Sequence, residues 1–378
     1  MESKGKYGIF FRWFLPAIVF QSIYMGGGFT TGREVMEFGG RFGVNGVYSI
    51  VFITLGFFIA AFLSYELARI NKTFDYRTWV KGLLWKFWPV FDIAFIVLAI
   101  IVIAVVGSAA ANIMKDMLKL PYMLSAVVVI GAIGILHFYG RFAIEWFEVI
   151  GTVILYAMYA ILWGITLKYA WGDIGMAFEK GLSAETPWDA SIAGIKYFAY
   201  NMPALPAVLF TIDRLERRSD SLMAGLTSSL LVSMAFFLTW LCLLGFYTRP
   251  EIVNAPVPWY EIMKTIGGLW LRGFYVLAVF WTLIETGTGM IHAIVRRVEV
   301  QLKEIKGVGL SRTQEGIIAT VIAIISILFA RYGIIALVAK GYGILAWVFF
   351  AIYFIPLVTV GIIRIINPDW KKEFWSKA

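Results

Sequence analysis

Long apolar runs with few charged residues recur along the whole chain, and they constrain its fold more than any other feature of the sequence. An α-helix needs about twenty apolar residues to cross the hydrocarbon core of a bilayer. The pattern predicts ten spans, which we number in chain order. They run from Phe10 to Phe38, Val44 to Ile70, Phe87 to Leu118, Tyr122 to His137, Phe142 to Trp171, Ser191 to Asp213, Ser221 to Tyr247, Leu269 to Val298, Thr313 to Ala330 and Gly341 to Ile366.

Composition places the chain among multi-pass membrane proteins. Of the 378 residues, 60% are hydrophobic and 15% charged, which is more apolar surface than a soluble domain buries. The single cysteine, Cys242, lies inside an apolar run, so disulfides and thiol metal sites are not expected. We therefore predict an all-α membrane protein, in contact with the lipid bilayer and with no role in nucleic-acid binding.

Lysine and arginine are concentrated in alternate connecting segments, which predicts the orientation. With a cytoplasmic N-terminus, most of these residues fall in cytoplasmic segments, as is usual in membrane proteins. The net charge of +9 is therefore interpreted as a signal of membrane orientation. The first apolar run is too long for a signal peptide and lacks a cleavage site. We predict a plasma-membrane protein with both termini in the cytoplasm, the second of them a tail of residues 367–378.

Two of the predicted spans contain helix-breaking residues near mid-membrane. Span one has three consecutive glycines at 26–28, and span six has NMPALP at 201–206, where both prolines lack a backbone donor. The two breaks are about 177 residues apart, and the same offset relates the starts of spans two and seven. Each half of the chain contains five spans, and an odd number of crossings places the start of the second half on the other side of the membrane. Residues 189–366 are therefore predicted to repeat residues 1–171 in inverted orientation, the layout of many secondary transporters.

Irregular backbone at membrane depth is tolerated where it lines a cavity or is buried in protein, so the two breaks are predicted to face each other around a substrate site. An alternative is that the glycines only let helices pack closely. Ser108 and Asn112 of span three share a helix face and join the predicted wall, unless they serve interhelical hydrogen bonds. The predicted substrate-binding residues are Gly26, Gly27, Gly28, Phe29, Thr30, Ser108, Asn112, Tyr200, Asn201 and Met202.

The stretch GGGFTTGREVMEF, followed by GGRFG, resembles the corresponding stretch of the YkvI-type amino acid permeases. The layout of the whole chain resembles the LeuT fold of the amino acid–polyamine–organocation superfamily. The resemblance implies a LeuT-type arrangement of five plus five helices with spans one and six broken. It also implies a secondary transporter, with an amino acid or a similar zwitterion as its substrate.

Ionisable residues within spans are costly to insert and are therefore functional candidates. In span eight, Thr282, Glu285 and Thr286 share one helix face. In sodium-coupled LeuT-fold proteins, hydroxylated residues here complete a sodium site, and Thr286 fits that pattern, whereas Glu285 places a carboxylate there. A carboxylate suits either sodium or a proton, and a structural ion pair is an alternative. Glu148 of span five lies at a depth where some proton-coupled relatives carry an ionisable side chain. The alternative is an interfacial carboxylate that pairs with Arg141 or water.

Four charged residues near the two breaks are candidate gate residues. In LeuT-like proteins an arginine near Arg33 pairs with an acid on span ten, but span ten here offers Lys340 and no obvious acid. Glu34 or Glu37 is then the expected partner. Lys196 of span six is placed to meet one of these acids or to attract an anionic substrate.

The sequence thus predicts a transporter of a small organic solute, coupled to a sodium or proton gradient and present as a monomer or weak homo-oligomer. No enzyme activity and no cofactor are expected, with a bound sodium ion left open. One alternative is a metal-ion permease on the same fold, although span one supplies only glycines at its break. Another is a membrane sensor that has lost transport.

Overall fold

The computed structural model describes residues 7–138 and 141–371; the side chains of residues 135–150 and 152 are outside the description. Every regular element in these ranges is helical, as the sequence predicts. Seven helices of this part are long and apolar enough to cross a membrane. The apolar helix Tyr122–Phe138 and the two interrupted helices of spans one and six bring the described spans to the expected ten.

Span one is divided by two interruptions. A π-helical turn, Phe10–Phe14, leads into the helix Leu15–Tyr24, and the chain then becomes extended at Gly26, where ψ is −171°. A short turn of helix, Gly27–Thr30, follows. Gly32 then leads into the next helix with a φ of +78°, which is readily adopted only by glycine. The last part is Arg33–Phe38. The main break therefore lies at Met25 and Gly26, slightly before the predicted centre, because Gly27 and Gly28 already belong to the next turn.

Span six changes its helical type where the prolines occur. The α-helix Pro187–Asn201 starts with a capping box between Thr186 and Asp189. It gives way to the 3₁₀ turn Met202–Ala204, the short helix Leu205–Val208 and the 3₁₀ segment Leu209–Arg214. The backbone stays in the right-handed helical region throughout, so this break tightens the helix without extending the chain.

The other spans are longer and more regular. Span ten begins at Gly333, earlier than predicted, and contains π-helical stretches at Leu337–Tyr342, Phe350–Phe354 and Leu357–Gly361. The remaining spans are the helices Gly46–Asn71 (span two), Trp88–Leu118 (three), Tyr122–Phe138 (four), Arg141–Glu179 (five), Arg218–Leu244 (seven), Leu269–Lys306 (eight) and Arg312–Ala330 (nine). Two shorter amphipathic helices connect spans, Tyr76–Leu84 between two and three and Pro258–Ile266 between seven and eight.

Contacts between spans follow an approximate twofold symmetry. Span one packs on span seven as span six packs on span two, and span three packs on span nine as span eight packs on span four. Spans two and seven pack on each other, as do spans three and eight. This pattern is that of an inverted five-plus-five repeat, in which spans one and six occupy equivalent places in the centre.

Ion pairs identify the two ends of the molecule. At one end, Arg12 at the start of span one pairs with Asp220 at 2.9 Å, and Arg77 pairs with Asp92 at 2.7 Å. We call this end the N-terminal face. At the other end, which we call the opposite face, Lys264 lies 3.3 Å from Asp116 at the end of span three.

Candidate functional site

A cavity of about 340 Å³ lies beside the interruption of span one. Spans one, three, six and eight provide most of its wall, with single contributions from spans five and ten. Apolar side chains such as Phe95, Leu98 and Leu155 cover one part. The polar part includes predicted site residues from both halves of the chain, namely Glu34, Asn201, Thr282, Glu285 and Thr286. The fold thus brings together residues that are more than 250 positions apart in the sequence.

The cavity extends from the interruption toward the N-terminal face. Its wall on that side includes Ser22 of span one, Ala207 of span six and Arg297 near the end of span eight. Ala207 is exposed, and Asn201 is half-buried. Water therefore reaches the cavity from the N-terminal face.

The connecting helix Pro258–Ile266 closes the opposite side of the cavity. The backbone N–H of Trp259 donates a hydrogen bond of 3.3 Å to the carbonyl of Thr31. A Cβ at Gly32 would lie 2.8 Å from Cδ1 of Trp259, so the positive φ and the close approach both require glycine there. Tyr159 and Tyr275 donate to the carbonyls of Phe29 and Thr30, which satisfies backbone acceptors freed by the broken helix.

Arg33 joins span one to the segment in front of this closing helix. One guanidinium nitrogen donates to the carbonyls of Val253 and Ala255, at 3.0 and 3.2 Å, and the other pairs with Glu37 at 3.0 Å. Glu37 also accepts from Arg41 at 2.6 Å. Of the two partners expected for Arg33, the structure thus selects Glu37, and the contact lies on the closed side of the cavity.

The three glycines allow span one to approach its neighbours closely. A Cβ at Gly27 would lie 2.9 Å from both Leu283 and Val106, and one at Gly26 would lie 3.1 Å from Oγ1 of Thr286. The backbones of all three glycines line the cavity, but the vacant Cβ positions of Gly26 and Gly27 face spans eight and three. Packing and cavity lining, stated as alternatives from the sequence, are therefore both observed.

Thr282 and Thr286, the two predicted threonines of span eight, lie at the interruption of span one. Thr286 accepts a hydrogen bond of 2.8 Å from the backbone N–H of Gly27. Thr282 donates to the carbonyl of Ala278 in its own helix at 3.0 Å. Thr286 thus holds the first residue of the turn that follows the break.

Glu285 is half-buried on the cavity wall, beside span five. Its carboxylate fills the space that a side chain at Gly151 would occupy, so glycine at that position admits the acid between spans five and eight. Glu148, the candidate on span five, has a side chain outside the described residues.

Glu34 was predicted as a gate residue, but the structure places its side chain on the cavity. The residue is 6% exposed, and Tyr200 of span six donates to its Oε2 at 2.7 Å. The ring of Tyr200 stacks on Tyr342 of span ten, with 4.6 Å between their centroids. The carboxyl also fills the space beside the Cα of Gly28, so Glu34 touches both interrupted spans.

Several predicted site residues are elsewhere. Phe29 packs against Tyr24 and Tyr159, and Thr30 donates to the carbonyl of Gly27. Phe29, Thr30 and Met202 are buried behind the cavity wall and are not part of it. In the short turn 27–30 only Gly27 and Gly28 face the cavity, and Phe29 and Thr30 lie on its buried side.

The two span-three candidates make hydrogen bonds elsewhere, Ser108 to a neighbouring helix and Asn112 within its own helix. Ser108 accepts from Tyr122 of span four at 2.6 Å, and Asn112 donates to the carbonyl of Ser108 at 2.8 Å. Neither residue lines the cavity, so the prediction that they form its wall is wrong; the alternative of helix–helix hydrogen bonding is observed for Ser108.

Lys196 does not meet Glu34 or Glu37. Its ammonium lies 5.9 Å from the ring centroid of Trp347 on span ten. Lys196 shares a helix face with Tyr200 but lies one turn farther from the interruption, where its neighbour is span ten, so the predicted contact across the cavity is wrong.

Arg297 was missed from the sequence and lies on the cavity wall near the N-terminal face. Its guanidinium carbon is 3.4 Å from the ring centroid of Phe95, and its Nε is 3.6 Å from Asp92. An arginine next to a second arginine near the end of span eight resembles an interfacial topology signal. Only the packing of spans three and eight places it at the entrance.

The chain was compared with protein families, curated proteins and solved structures. No family model and no curated protein matches it. A manganese transporter from Eremococcus coleocola superposes with a TM-score of 0.61 at 14% identity, over 94% of this chain and 80% of that chain. MhsT in complex with L-phenylalanine gives 0.57 at 12% identity, over 97% and 98%. A Na⁺-coupled sialic acid symporter gives 0.56 at 13% identity, over 94% and 80%.

At such low identities the likeness identifies a fold and nothing finer. The solved structures are LeuT-fold transporters, and their similarity extends over nearly the whole chain. Together with the apolar helices and the central interruptions, this shows that the chain is an all-α, multi-pass membrane protein of the LeuT-type fold.

Proposed function

We propose that the protein is a secondary active transporter of a small organic solute, an amino acid or a similar zwitterion, which it moves by alternating access. Transport is coupled to a sodium or proton gradient across the plasma membrane, and both termini are cytoplasmic. The cavity at the interruption of span one is the substrate site. In this orientation the N-terminal face is the cytoplasmic one, and the structure represents an inward-open conformation.

One observation carries the proposal: the cavity is open toward one face and closed toward the other at the place where a membrane helix is broken. A transporter needs such a site, reachable from one side at a time. The Arg33 and Trp259 contacts are the closed gate, and the route past Ala207 is the open one. The likeness to solved transporters, among them one that binds L-phenylalanine, supports the same assignment.

The lining of the cavity suits a solute with a polar head and a short apolar part. Carboxyl, amide and hydroxyl groups are gathered near the interruption, while Phe95, Leu98 and Leu155 form an apolar wall. Pockets for small molecules commonly combine an apolar lining with a few converging polar groups. A cavity of about 340 Å³ limits the substrate to a small molecule.

Glu285 is the residue we propose for ion coupling. It lies on the cavity wall, in the face that also carries Thr282 and Thr286, and Thr286 is bonded to the interruption of span one. An ion or proton at Glu285 changes the charge next to the contact between spans one and eight. It therefore biases the helix that must move between the two conformations.

A metal-ion permease is the second candidate, because manganese transporters are among the similar structures. Within the part of the chain that the structure describes, there is no group of three or more His, Cys, Asp or Glu side chains that could hold a metal. The binding screen that tests the main proposal also tests this second candidate, because Mn²⁺ can be added as one of the ligands.

The test is a thermal-shift screen of the purified full-length protein in detergent, followed by uptake into proteoliposomes. The twenty amino acids, simple amines and MnCl₂ are screened with and without sodium. A ligand that binds the folded state raises the melting temperature through mass action. We expect an amino acid or related zwitterion to stabilise the protein and to exchange across the membrane; stabilisation by Mn²⁺ alone would replace the proposal with the metal-ion candidate.

Two variants locate the binding site. Ala204 of span six is half-buried on the cavity wall, so Ala204→Phe should fill the cavity and abolish the ligand's thermal shift. Ala204→Ser, which adds one oxygen, is the matched control and should keep the shift. Equal shifts in the two variants would place the ligand outside the cavity.

A further inference from the structure

Five acidic residues are buried in the described part of the chain, and four of them pair with a basic residue. Glu37 pairs with Arg33 and Arg41, Glu66 with Arg69, Asp220 with Arg12, and Glu299 with Arg296 and Lys303. Glu34 differs from these four: its carboxyl pairs with no cation of the described chain, and its hydrogen bond comes from the neutral hydroxyl of Tyr200.

Five tyrosines of the described chain lie close enough to interact electrostatically with this carboxyl. Tyr24 approaches from span one, Tyr159 from span five, Tyr197 and Tyr200 from span six, and Tyr342 from span ten. On its own helix, Arg33 and Glu37 are engaged with each other on the closed side. The second acid of the cavity, Glu285, belongs to span eight and lies against span five.

An ionised carboxylate in such a place is unfavourable. Only 6% of the residue is exposed, and neither a cation nor a set of hydrogen-bond donors of the described chain replaces the lost hydration. A phenol in water ionises only near pH 10, so the surrounding tyrosines remain neutral and provide no compensating charge at neutral pH. The form of Glu34 that fits this conformation is the neutral carboxylic acid.

We propose that Glu34 is a proton-binding site whose occupancy stabilises the conformation described here. A proton from water in the cavity binds the carboxylate of Glu34, and the resulting acid packs between Gly28 and Tyr200. When spans one and six separate toward the opposite face, water reaches the carboxyl and the proton leaves. The inference deepens the proposed transport function, because it adds a proton site in span one to the ion-coupling residue Glu285 of span eight.

The position of Glu34 explains why its charge would act on the conformation. Its carboxyl touches span one at Gly28 and span six at Tyr200, which are the two interrupted helices. The next residue along the chain toward the N-terminus is Arg33, which closes the opposite face. A π-helical stretch of span ten ends at Tyr342 and places that ring against Tyr200. Such stretches are frequent at functional sites.

A labelling experiment tests this without knowledge of the substrate. A reporter cysteine at Ala207, on the open side of the cavity, is introduced into full-length protein that carries Cys242→Ala. Its reaction rate with a membrane-impermeant maleimide is measured in detergent between about pH 5 and pH 9, a range that brackets ordinary carboxyl and histidine titration. Rates of different variants are compared at each pH, so that ionisation of the thiol itself cancels.

Glu34→Gln imitates the protonated acid at every pH and keeps an acceptor for Tyr200. We expect the variant and the parent to react equally fast at low pH. At high pH the parent should become slower as it leaves the open conformation, by up to about tenfold per pH unit for one proton, while the variant does not. Glu251→Gln, at an exposed acid outside the cavity, is the control for loss of a carboxylate and should retain the pH dependence of the parent.

The proposal is overturned if Glu34→Gln retains the pH dependence of the parent, if the parent shows none, or if Glu251→Gln loses the dependence as well. Should Glu34→Gln not fold, Tyr200→Phe removes the hydrogen bond and must shift the midpoint of the pH dependence; an unchanged midpoint is likewise contrary to the proposal. A failure to find a transported solute would reject the proposed function and leave this result standing.

Discussion

The backbone N–H of Gly27 donates a 2.8 Å hydrogen bond to Oγ1 of Thr286 and so joins the interrupted first span directly to span eight. Gly27 is the first residue after the break, where a helix leaves its N–H groups without intrahelical partners. A side-chain oxygen from a distant span therefore serves as the acceptor that the broken helix lacks.

Thr286→Val keeps the shape of the side chain but removes this acceptor. We expect it to lower the free energy of unfolding by about 1–3 kcal/mol, because a buried donor is left without a partner. Thr288 of the same helix bonds only to the carbonyl of Ile284, so Thr288→Val is the matched control and should cost less. Thermal unfolding in detergent measures both; equal losses would show that the contact with Gly27 contributes nothing specific.

Gly27→Ala should destabilise the protein through crowding. The new methyl group would lie 2.9 Å from Leu283 and Val106, which must move, and overpacking of this kind typically costs about 1–3 kcal/mol. Gly164 lies in the helix of span five with open space around its Cβ position, so Gly164→Ala should be neutral or stabilising. Melting temperatures that change alike in the two variants would contradict the close approach of spans one and eight.

Arg33→Ala should weaken the closure at the opposite face. It removes two hydrogen bonds to carbonyls and one ion pair, while Glu37 keeps Arg41 as a partner. Labelling of a cysteine at Ala207 should then slow down, because the protein leaves the conformation open toward the N-terminal face. Arg331→Ala, at an exposed arginine, controls for loss of charge; no difference between the two variants would exclude a gate role for Arg33.

Glu285→Gln retains the size and hydrogen bonding of the side chain but removes its charge. We expect the variant to exchange substrate across a proteoliposome membrane yet fail to accumulate it against a gradient, since coupling requires an ion or proton at this site. Glu251→Gln, at an exposed acid between spans seven and eight, is the control and should accumulate substrate normally. Undiminished accumulation by Glu285→Gln would make Glu285 a structural residue and leave Glu148 as the next candidate.

The amino-acid sequence predicted the architecture because the membrane imposes strong local rules. Runs of apolar residues are long enough to cross a bilayer, and only helices satisfy their own backbone groups there. Glycines at 26–28 and prolines at 203 and 206 stand out against that background, and their spacing indicates an inverted repeat. The structure confirms the fold class, and it shifts the first break to Met25 and Gly26.

The site itself was decided by tertiary packing. The sequence marks Glu34, Glu37 and Lys196 equally as charges near a break, yet only one of them lies on the cavity. In the folded chain Lys196 lies beside Trp347, Glu37 pairs with Arg33, and Glu34 accepts a hydrogen bond from Tyr200 of the other half of the chain. The sequence alone determines which residues are unusual for a membrane helix, because the cost of a charge or a helix break within a span is local. Whether each of these residues is paired, exposed or enclosed depends on which spans pack together, and only the folded arrangement determines that.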